Sequence, residues 1–458
     1  MRFPAELTVT IPRRWAWALG IAVAVLVGLL VWLLLLAHGA APAVAETARN
    51  GAAPAERRVM GPVPPRVTTT APPARAVSGE TARGIEQYEI CGGTWVKANP
   101  DGNVDDEALK GPMRRDEAAQ AVDRALAADP RPMAQAARLI LEIMNGGDDQ
   151  RRALMASGAD CSASGACPPG PAVPAAAVSA MAASREALAR SALTTTDPAV
   201  YALAFRVCAS GGVRDGACAL LNAEQWARLD PGNAAPWQEV FAAAQARRDS
   251  AAANEALHRI ATSQRSEQRF FDLPGLFIDV APDDDGLRNG VFLLVIEAIG
   301  LQSTVSLPSY APFASVCRRE ALRDSNRRQT CDSIAELLAQ KSDTLVERAM
   351  GEAVGRQLGW PQERIERMRA EQDAFITSTY AGIEPRNAMG CDAIRRVTDD
   401  VRRKARLGEV GAMRDWLAHD APPADELLRR YRDEQRERGK AAAASAAGQA
   451  ASAASAPG

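Results

Sequence analysis

The sequence predicts an all-α protein, in which an N-terminal transmembrane helix precedes a helical-hairpin, partly repeat-like extracytoplasmic body with disulfides. Three observations lead to this class. The chain opens with a long uncharged apolar run, its 458 residues are rich in Ala but only 5% aromatic, and later apolar residues recur every three or four positions. Ala is the best helix former and a poor strand residue, and this recurrence places apolar side chains on one helical face.

The apolar run extends from Trp15 to Leu36 without a charged residue. At 1.5 Å per residue its ~22 residues cross a hydrocarbon core of roughly 30 Å, so membrane lipid is its predicted partner. Arg13 and Arg14 precede the run, whereas the first basic residue after it is Arg49. Because basic residues stay on the cytoplasmic side, we predict a single pass through the inner (cytoplasmic) membrane, with the N-terminus inside and the body periplasmic or otherwise extracytoplasmic.

A cleaved signal peptide is the alternative for this segment, because Ala41, Ala43 and Ala45 offer an A-x-A site. The apolar regions of signal peptides are only about 7 to 15 residues long, which favours an uncleaved anchor. Both alternatives deliver the body to the same side. The predicted parts are a cytoplasmic tail (1–14), a transmembrane helix (15–37), a Pro/Ala-rich linker (38–84), a helical repeat-like domain (85–265), a C-terminal helical domain (266–440) and a disordered tail (441–458).

Charge and cysteine usage limit the classes of function. Lys plus Arg (54) nearly cancel Asp plus Glu (56), which gives no electrostatic case for nucleic acid as a partner. All eight cysteines follow the apolar run, as an oxidising compartment allows. Eight cysteines permit roughly a hundred pairings, so any connectivity is a hypothesis. Pairing of neighbours predicts the disulfides Cys161–Cys167, Cys208–Cys218 and Cys317–Cys331, and leaves Cys91 to meet Cys391.

Metal binding and redox catalysis are the alternative uses of these residue types. The chain contains no C-x-x-C and has no His at ligand spacing from a Cys pair. Asp101, Asn103 and Asp105 match the opening of a calcium-binding loop, but Asp106 stands where that loop needs Gly and Pro112 where it needs Glu. We predict no metal and no cofactor, and we interpret these acids as first-turn charges that a helix N-terminus favours.

Strand-like alternation is found over residues 87–96 around Cys91, and helices are predicted from Asp116 onward. Gly146 and Gly147 are predicted to end the second of these helices, before a cysteine-containing loop at 158–174. Further on, helices at 198–209 and 217–229 flank a turn and form a hairpin. A disulfide between the cysteines on either side of that turn would join the two helices.

The pairs Asp129-Pro130, Asp197-Pro198 and Asp230-Pro231 recur at separations of 68 and 33, near multiples of about 34, the length of a helical-hairpin repeat. Leu229-Asp230-Pro231-Gly232-Asn233 is followed by the further motif positions Trp237, Val240, Asp249 and Ala253. This pattern over residues 197–262 resembles the tetratricopeptide family, and the cysteine-joined hairpin resembles its Sel1-like relatives. Phe241 and Ala244 depart from the pattern, which wants a small residue and an aromatic there. The resemblance implies stacked hairpins with a concave surface for peptides or proteins.

The C-terminal part continues with helices whose ends are marked in the sequence. Three acids at 283–285 precede an apolar helix from Val291 to Ile299, which is broken only by Glu297 and is predicted to be largely buried. Leu358-Gly359-Trp360-Pro361 is predicted to end one helix and begin another. Cys391 opens the last core helix. Residues 426–440 are dense in both charges and predict a solvated helix or a docking arm.

No residue is assigned to catalysis, to a cofactor or to a metal. His38, His258 and His419 are interpreted as surface or packing residues, and none of the common catalytic or nucleotide-binding motifs occurs. Trp226, Trp237 and Phe241 lie near the predicted concave surface and are expected to supply packing volume. We therefore predict an anchored protein that acts through contacts with an unknown protein or envelope partner. The alternative is a helical hydrolase of the cell wall that uses paired carboxylates, whose proximity a sequence does not show.

Overall fold

The computed structural model describes residues 87–92, 94–97, 113–156, 175–210, 214–305, 310–381, 383, 387 and 389–454. Outside these residues lie the predicted cytoplasmic tail, the transmembrane helix, the whole linker (38–84), the acids at 101–105 and the Cys161–Cys167 pair. Within the described ranges, no helix combines the length and the apolar character that crossing a membrane requires. The chain divides into two units, of which the first (1–88 and 96–106) is described only at residues 87–88 and 96–97. The second (89–95 and 107–458) contains all of the helices given below.

The described residues are mostly helical, which confirms the all-α class. Two short strands, β1 (Gln87–Ile90) and β2 (Thr94–Lys97), form a small sheet. The helices of the first half are α1 (Arg115–Ala128), α2 (Pro132–Ala156), α3 (Ala175–Thr194), α4 (Pro198–Ser210), α5 (Ala223–Leu229), α6 (Ala235–Ala246) and α7 (Ser250–Thr262). Those of the second half are α8 (Asp272–Val280), α9 (Arg288–Val305), α10 (Ala311–Val316), α11 (Ser325–Lys341), α12 (Leu345–Leu358), α13 (Gln362–Tyr380), α14 (Cys391–His419) and α15 (Ala424–Ala454). Short 3-10 turns occupy Gly216–Leu220 and Ala321–Arg323.

The helices pack as neighbours in sequence, most extensively in the pairs α2–α3, α6–α7 and α11–α12. Small residues let the last pair approach closely. A Cβ atom at Gly351 of α12 would lie 2.5 Å from the backbone nitrogen of Ala339 and 2.7 Å from the carbonyl oxygen of Ala335, both on α11. Small residues on both helices therefore bring the two helix backbones close together.

Several helix ends differ from the prediction. The two glycines at 146 and 147 do not end α2, which continues to Ala156; that prediction was wrong, because Gly costs a helix only about 1 kcal/mol and does not block its hydrogen bonds. The helix predicted at 217–229 is a 3-10 turn followed by α5, and Asn222 begins α5 by accepting a hydrogen bond from the amide of Gln225. Helix α15 extends into the predicted tail, where Ala dominates and favours helix.

Other helix ends lie where the sequence predicts them. Helix α12 ends at Leu358, Gly359 follows with a left-handed φ of 86°, and α13 begins directly after Pro361. Cys391 is the first residue of α14. In helix α9 no residue of the stretch 291–299, which is predicted to be largely buried, is exposed, and Val291, Leu294, Val295 and Ala298 are fully buried or nearly so. The charge within it, Glu297, is paired with Arg115 at 2.7 Å.

Three cysteine pairs are joined in the structure: Cys91 with Cys391, Cys208 with Cys218, and Cys317 with Cys331. The first pair is 300 residues apart in sequence and ties the turn after β1 to the start of α14. The backbone next to it is also bonded, since the amide of Cys91 donates to the carbonyl of Met389 at 3.0 Å. Among the described residues no cysteine is free.

Candidate functional site

Three connections between helices meet inside the helical body at residues 230–234, 263–271 and 341–344, which we call the connection hub. The amide of Ala234 donates to the carbonyl of Arg265 at 2.9 Å, and the amide of Ser266 donates to the carbonyl of Lys341 at 2.9 Å. The amide of Asp343 donates a hydrogen bond to the carbonyl of Ser266 at 2.9 Å. The central segment is thus held on both sides by main-chain hydrogen bonds, as an inner strand would be. The boundary that the sequence predicts between residues 265 and 266 falls within this segment.

Two carboxyl groups anchor the hub. Both oxygens of Asp343 accept backbone hydrogen bonds, from the amides of Gln268 at 2.8 Å and Arg269 at 2.6 Å. Oε1 of the fully buried Glu347 accepts three hydrogen bonds, from Nε2 of Gln238 at 2.7 Å, Oγ of Ser266 at 2.8 Å and Nε2 of Gln268 at 2.8 Å. Asp343 therefore links the central segment to the connection before α12, and Glu347 links it to the first turn of α12.

Burial sets the protonation of these groups. It raises the pKa of Glu347, and burial together with the charge of Glu347 raises the pKa of Asp343 to about 8. Burial also raises the pKa of Asp272, which follows the hub at the start of α8, to about 6. Arg206 of α4 is buried as well, with its guanidinium bonded to Gln268. The hub is a polar interior in which charges cost free energy unless they are partnered.

This geometry bears on the enzymatic alternative. The carboxyls of Asp343 and Glu347 are the closest that the described residues come to a buried acidic pair with raised pKa values. Both oxygens of Asp343 and Oε1 of Glu347 are bonded within the hub, Oε2 of Glu347 has no hydrogen-bond partner among the described residues, and neither group lines either of the clefts described below. We therefore interpret the two carboxyls as structural anchors.

An open cleft of about 390 Å³ lies between the α6–α7 turn and the α10–α11 region. Its apolar lining is formed by Ala253, Leu257 and Val316. Two arginines, Arg248 and Arg327, lie on its edges, and we call it the basic cleft. The other residues of its lining are polar or charged, so the cleft joins a small apolar part to a polar rim.

Local backbone structure positions the edges of the basic cleft. Arg248 ends the turn after α6 with a left-handed φ of 58°, and its side chain is exposed. Asp249 caps α7, because its carboxylate accepts a hydrogen bond from the amide of Ala252 at 3.0 Å. Arg327 donates to Oδ1 of Asn254 at 2.8 Å, which orients its guanidinium toward α7.

A second cleft of about 500 Å³ lies along α1 and α2. Its charged groups are largely paired with one another or with neighbours. Arg138 is 2.9 Å from Asp123, Glu142 accepts a hydrogen bond from Ser184 at 2.7 Å, and Arg115 donates to Asn145 at 2.6 Å. Three arginines face three carboxylates in its lining, so it carries no net charge with which to select a ligand.

The residues singled out in the sequence do not form a site. His258 and His419 are both exposed, and Nδ1 of His419 is bonded to the carbonyl of Asp415. Trp226 and Phe241 are fully buried, whereas Trp237 is partly exposed beside Arg259. No group of three or more potential metal ligands occurs in the described part of the chain.

The basic cleft was not found from the sequence. Arg248, Asn254 and Arg327 belong to no motif, and the arginines are 79 positions apart (327 minus 248). The only local signal was Asp249, which the repeat pattern places at a turn. The packing of α7 against α11 brings the two edges together, and no periodicity reports that contact.

Comparison with known proteins adds no relative. No family model, no curated protein and no solved structure matches the chain. The resemblance to tetratricopeptide proteins is therefore neither supported nor opposed by such matches, and the argument about function rests on the geometry of this chain.

Proposed function

We propose that the chain is a membrane-anchored, extracytoplasmic helical protein that acts by binding a partner protein or another envelope component. The basic cleft is the observation that carries this proposal. It offers an apolar lining, one arginine held by a neighbour and a second arginine that has no ionic partner among the described residues. The apolar run from Trp15 to Leu36 and the cysteines that follow it support the proposed location.

The helical hydrolase of the cell wall is the weaker candidate. It requires two carboxylates that face a substrate, whereas the acidic pair with raised pKa values is bonded within the hub. Zymography of the full-length chain on cell-wall substrate tests it. A cleared band that is abolished by Asp343→Asn or Glu347→Gln would reverse the order of the two candidates.

Affinity capture of the tagged full-length chain from native membranes, after mild crosslinking, tests the binding function. We expect one partner that co-purifies in a fixed ratio and survives washing at moderate salt. The same experiment on a chain without residues 1–37 controls for contacts made by the anchor alone. A chain that is captured alone from crosslinked membranes would contradict the proposal.

A reporter fused after Gly458 tests the proposed location. We expect activity from a reporter that works only outside the cytoplasm, and none from one that works only inside it. The size of the membrane-extracted chain separates the uncleaved anchor from the cleaved signal peptide. A reporter that is active in the cytoplasm would contradict both the uncleaved anchor and the cleaved signal peptide.

A further inference from the structure

We propose that the basic cleft binds the C-terminal residue of the partner protein, with the α-carboxylate between Arg248 and Arg327 and an apolar side chain on the cleft lining. This inference rests on the proposed binding function and names the chemistry of the partner. It is carried by the charge of the two edges and by the lining of the cleft between them.

The charge of the edges favours an anion. The guanidinium of Arg248 has no hydrogen-bond or ionic partner among the described residues, and Arg327 uses one nitrogen for Asn254 and leaves its others unbonded. Asp249 is the one acid in the lining, and its carboxylate is engaged by the amide of Ala252. Two cations against one engaged anion leave a net positive cleft, which suits a ligand with a single negative charge.

The lining favours a ligand that is apolar next to that charge. Leu257 is 2% exposed and Ala253 is 4% exposed, so both form the packed floor of the cleft and leave little of their own surface open. Val316 at the end of α10 is partly exposed and supplies the apolar surface that a ligand can reach. A cleft of about 390 Å³ lies within the usual range of roughly 300–1,000 Å³ for ligand sites, at the small end.

A chain end meets both requirements. Its α-carboxylate and its side chain leave the same Cα atom, so the carboxylate can reach the arginines while the side chain lies against Val316. The side chain of Asp or Glu presents a carboxylate without an apolar group beside it. A phosphate group has a second negative charge that Asp249 opposes. The single negative charge and the apolar side chain next to it therefore favour a C-terminal residue over these other anions.

Fluorescence anisotropy with the full-length chain in mild detergent tests the assignment. The probes are a pool of N-terminally labelled tetrapeptides that end in Ala, Val, Leu or Phe with a free carboxylate, the same pool with an amide end, and an amidated tetrapeptide that ends in Asp. We expect the free-carboxylate pool to bind and both amidated probes to bind at least about tenfold more weakly, the ratio that ~1.4 kcal/mol produces.

Variants locate the binding. Arg248→Met and Arg327→Met should each weaken binding of the free-carboxylate pool about tenfold or more, because each removes a charge-assisted hydrogen bond. The matched control is Arg247→Met, which removes an exposed arginine next to the cleft that does not line it. Arg248 is exposed, so its variant should keep the thermal unfolding midpoint of the parent chain.

The outcomes separate this inference from the proposed function. Equal binding of the acid and amide pools, binding of neither, or binding unchanged in Arg248→Met would overturn the assignment of the cleft. Repeating the membrane capture with the Arg248→Met chain then distinguishes a failure of the cleft assignment from a failure of the proposed binding function. If the partner is still captured by a chain whose cleft binds no peptide, the chain binds its partner through another surface. The proposed binding function is then retained and only the assignment of the cleft is wrong.

Discussion

At the scale of single residues, Gly351 of α12 occupies a position that only the smallest residue fits. At Gly351 a Cβ atom would meet backbone atoms of Ala335 and Ala339, which belong to a helix and cannot rotate away. We predict that Gly351→Ala lowers the free energy of unfolding by about 1–3 kcal/mol, the cost of overpacking, despite its better helix propensity.

The control for this prediction is Gly439→Ala, because a Cβ at Gly439 in α15 would meet nothing within 4 Å. Without a clash, helix propensity alone should leave stability unchanged or raise it by up to about 1 kcal/mol. Chemical denaturation followed by circular dichroism measures both. Similar effects of the two substitutions would show that α11 and α12 do not approach as closely as described.

The buried carboxyls predict a dependence of stability on pH. The pKa values of Asp272 and Asp343 in the folded chain, about 6 and about 8, lie above the ordinary value of 3.8. The folded state therefore binds more protons than the unfolded state, so this contribution is fully present below about pH 4 and is lost as pH rises through 6 and then 8. The charges of Arg269 and Arg206 favour the ionised form of Asp272, and the backbone amides of Gln268 and Arg269 favour that of Asp343, so these groups reduce the loss.

The variant Asp343→Asn isolates the loss of stability that is expected near pH 8. We expect the thermal unfolding midpoint of the parent chain to fall between pH 7 and pH 9, and that of the variant to fall less, because an amide does not ionise. One unit of pKa shift corresponds to ~1.4 kcal/mol, so the difference should exceed about 1 kcal/mol. Exposed Asp425→Asn is the control and should follow the parent chain. Parallel curves for the parent and Asp343→Asn would contradict the protonated state of Asp343 in the fold.

At the scale of helices and connections, local sequence predicts ends better than it predicts partners. Gly359 and Pro361 mark a helix boundary by their own backbone preferences, so their effect is independent of the rest of the chain. The glycines in α2 misled the prediction, since their small cost is outweighed when the helix packs against α3. The hub was not predicted at all, because its bonds join residues far apart in sequence.

Asn233 shows how such a connection is held. Its buried side chain donates to Asp230 and to the carbonyl of Glu267, and accepts from the amides of Ala235 and Glu267, with each distance at 2.9–3.0 Å. The sequence placed this residue in a repeat-like turn, but it did not show that the turn bonds to the segment after α7.

We predict that Asn233→Ala lowers the free energy of unfolding by about 3 kcal/mol or more, because it leaves several buried polar groups without partners. Asn222→Ala is the matched control: Asn222 is exposed and caps α5 through one hydrogen bond, so about 1 kcal/mol is expected. Hydrogen exchange should show loss of protection at residues 264–267 in the first variant only. Unchanged protection there would mean that Asn233 does not hold the segment.

At the scale of the whole molecule, composition and periodicity were sufficient for the fold class, since Ala-rich amphipathic segments have few alternatives to packed helices. The spacing of cysteines led to pairs that also lie together in the structure, such as Cys208 with Cys218 across one turn. The basic cleft required the packing of α7 against α11, which depends on side-chain fit between distant segments and leaves no pattern in the sequence.

The disulfides stabilise the helical body, and their formation depends on the compartment in which the body lies. In the chain-entropy account, a disulfide limits the unfolded chain more when it closes a longer loop. Cys91 and Cys391 enclose 300 residues, whereas Cys208 and Cys218 enclose 10. That account gives about 5–6 kcal/mol for the long loop and about 3 kcal/mol for the short one. We therefore predict that the double variant Cys91→Ser with Cys391→Ser loses more stability than Cys208→Ser with Cys218→Ser.

Denaturation of both double variants under non-reducing conditions measures the difference, and non-reducing peptide mapping of the chain from native membranes identifies the linked cysteines. A reductant should lower the stability of the parent chain, and should lower that of the Cys91/Cys391 variant by less. An extracytoplasmic body forms these bonds because its surroundings are oxidising, whereas a cytoplasmic body would keep its thiols reduced. Free thiols at Cys91 and Cys391 in the native chain would contradict both the long-loop bond and the location proposed for the body.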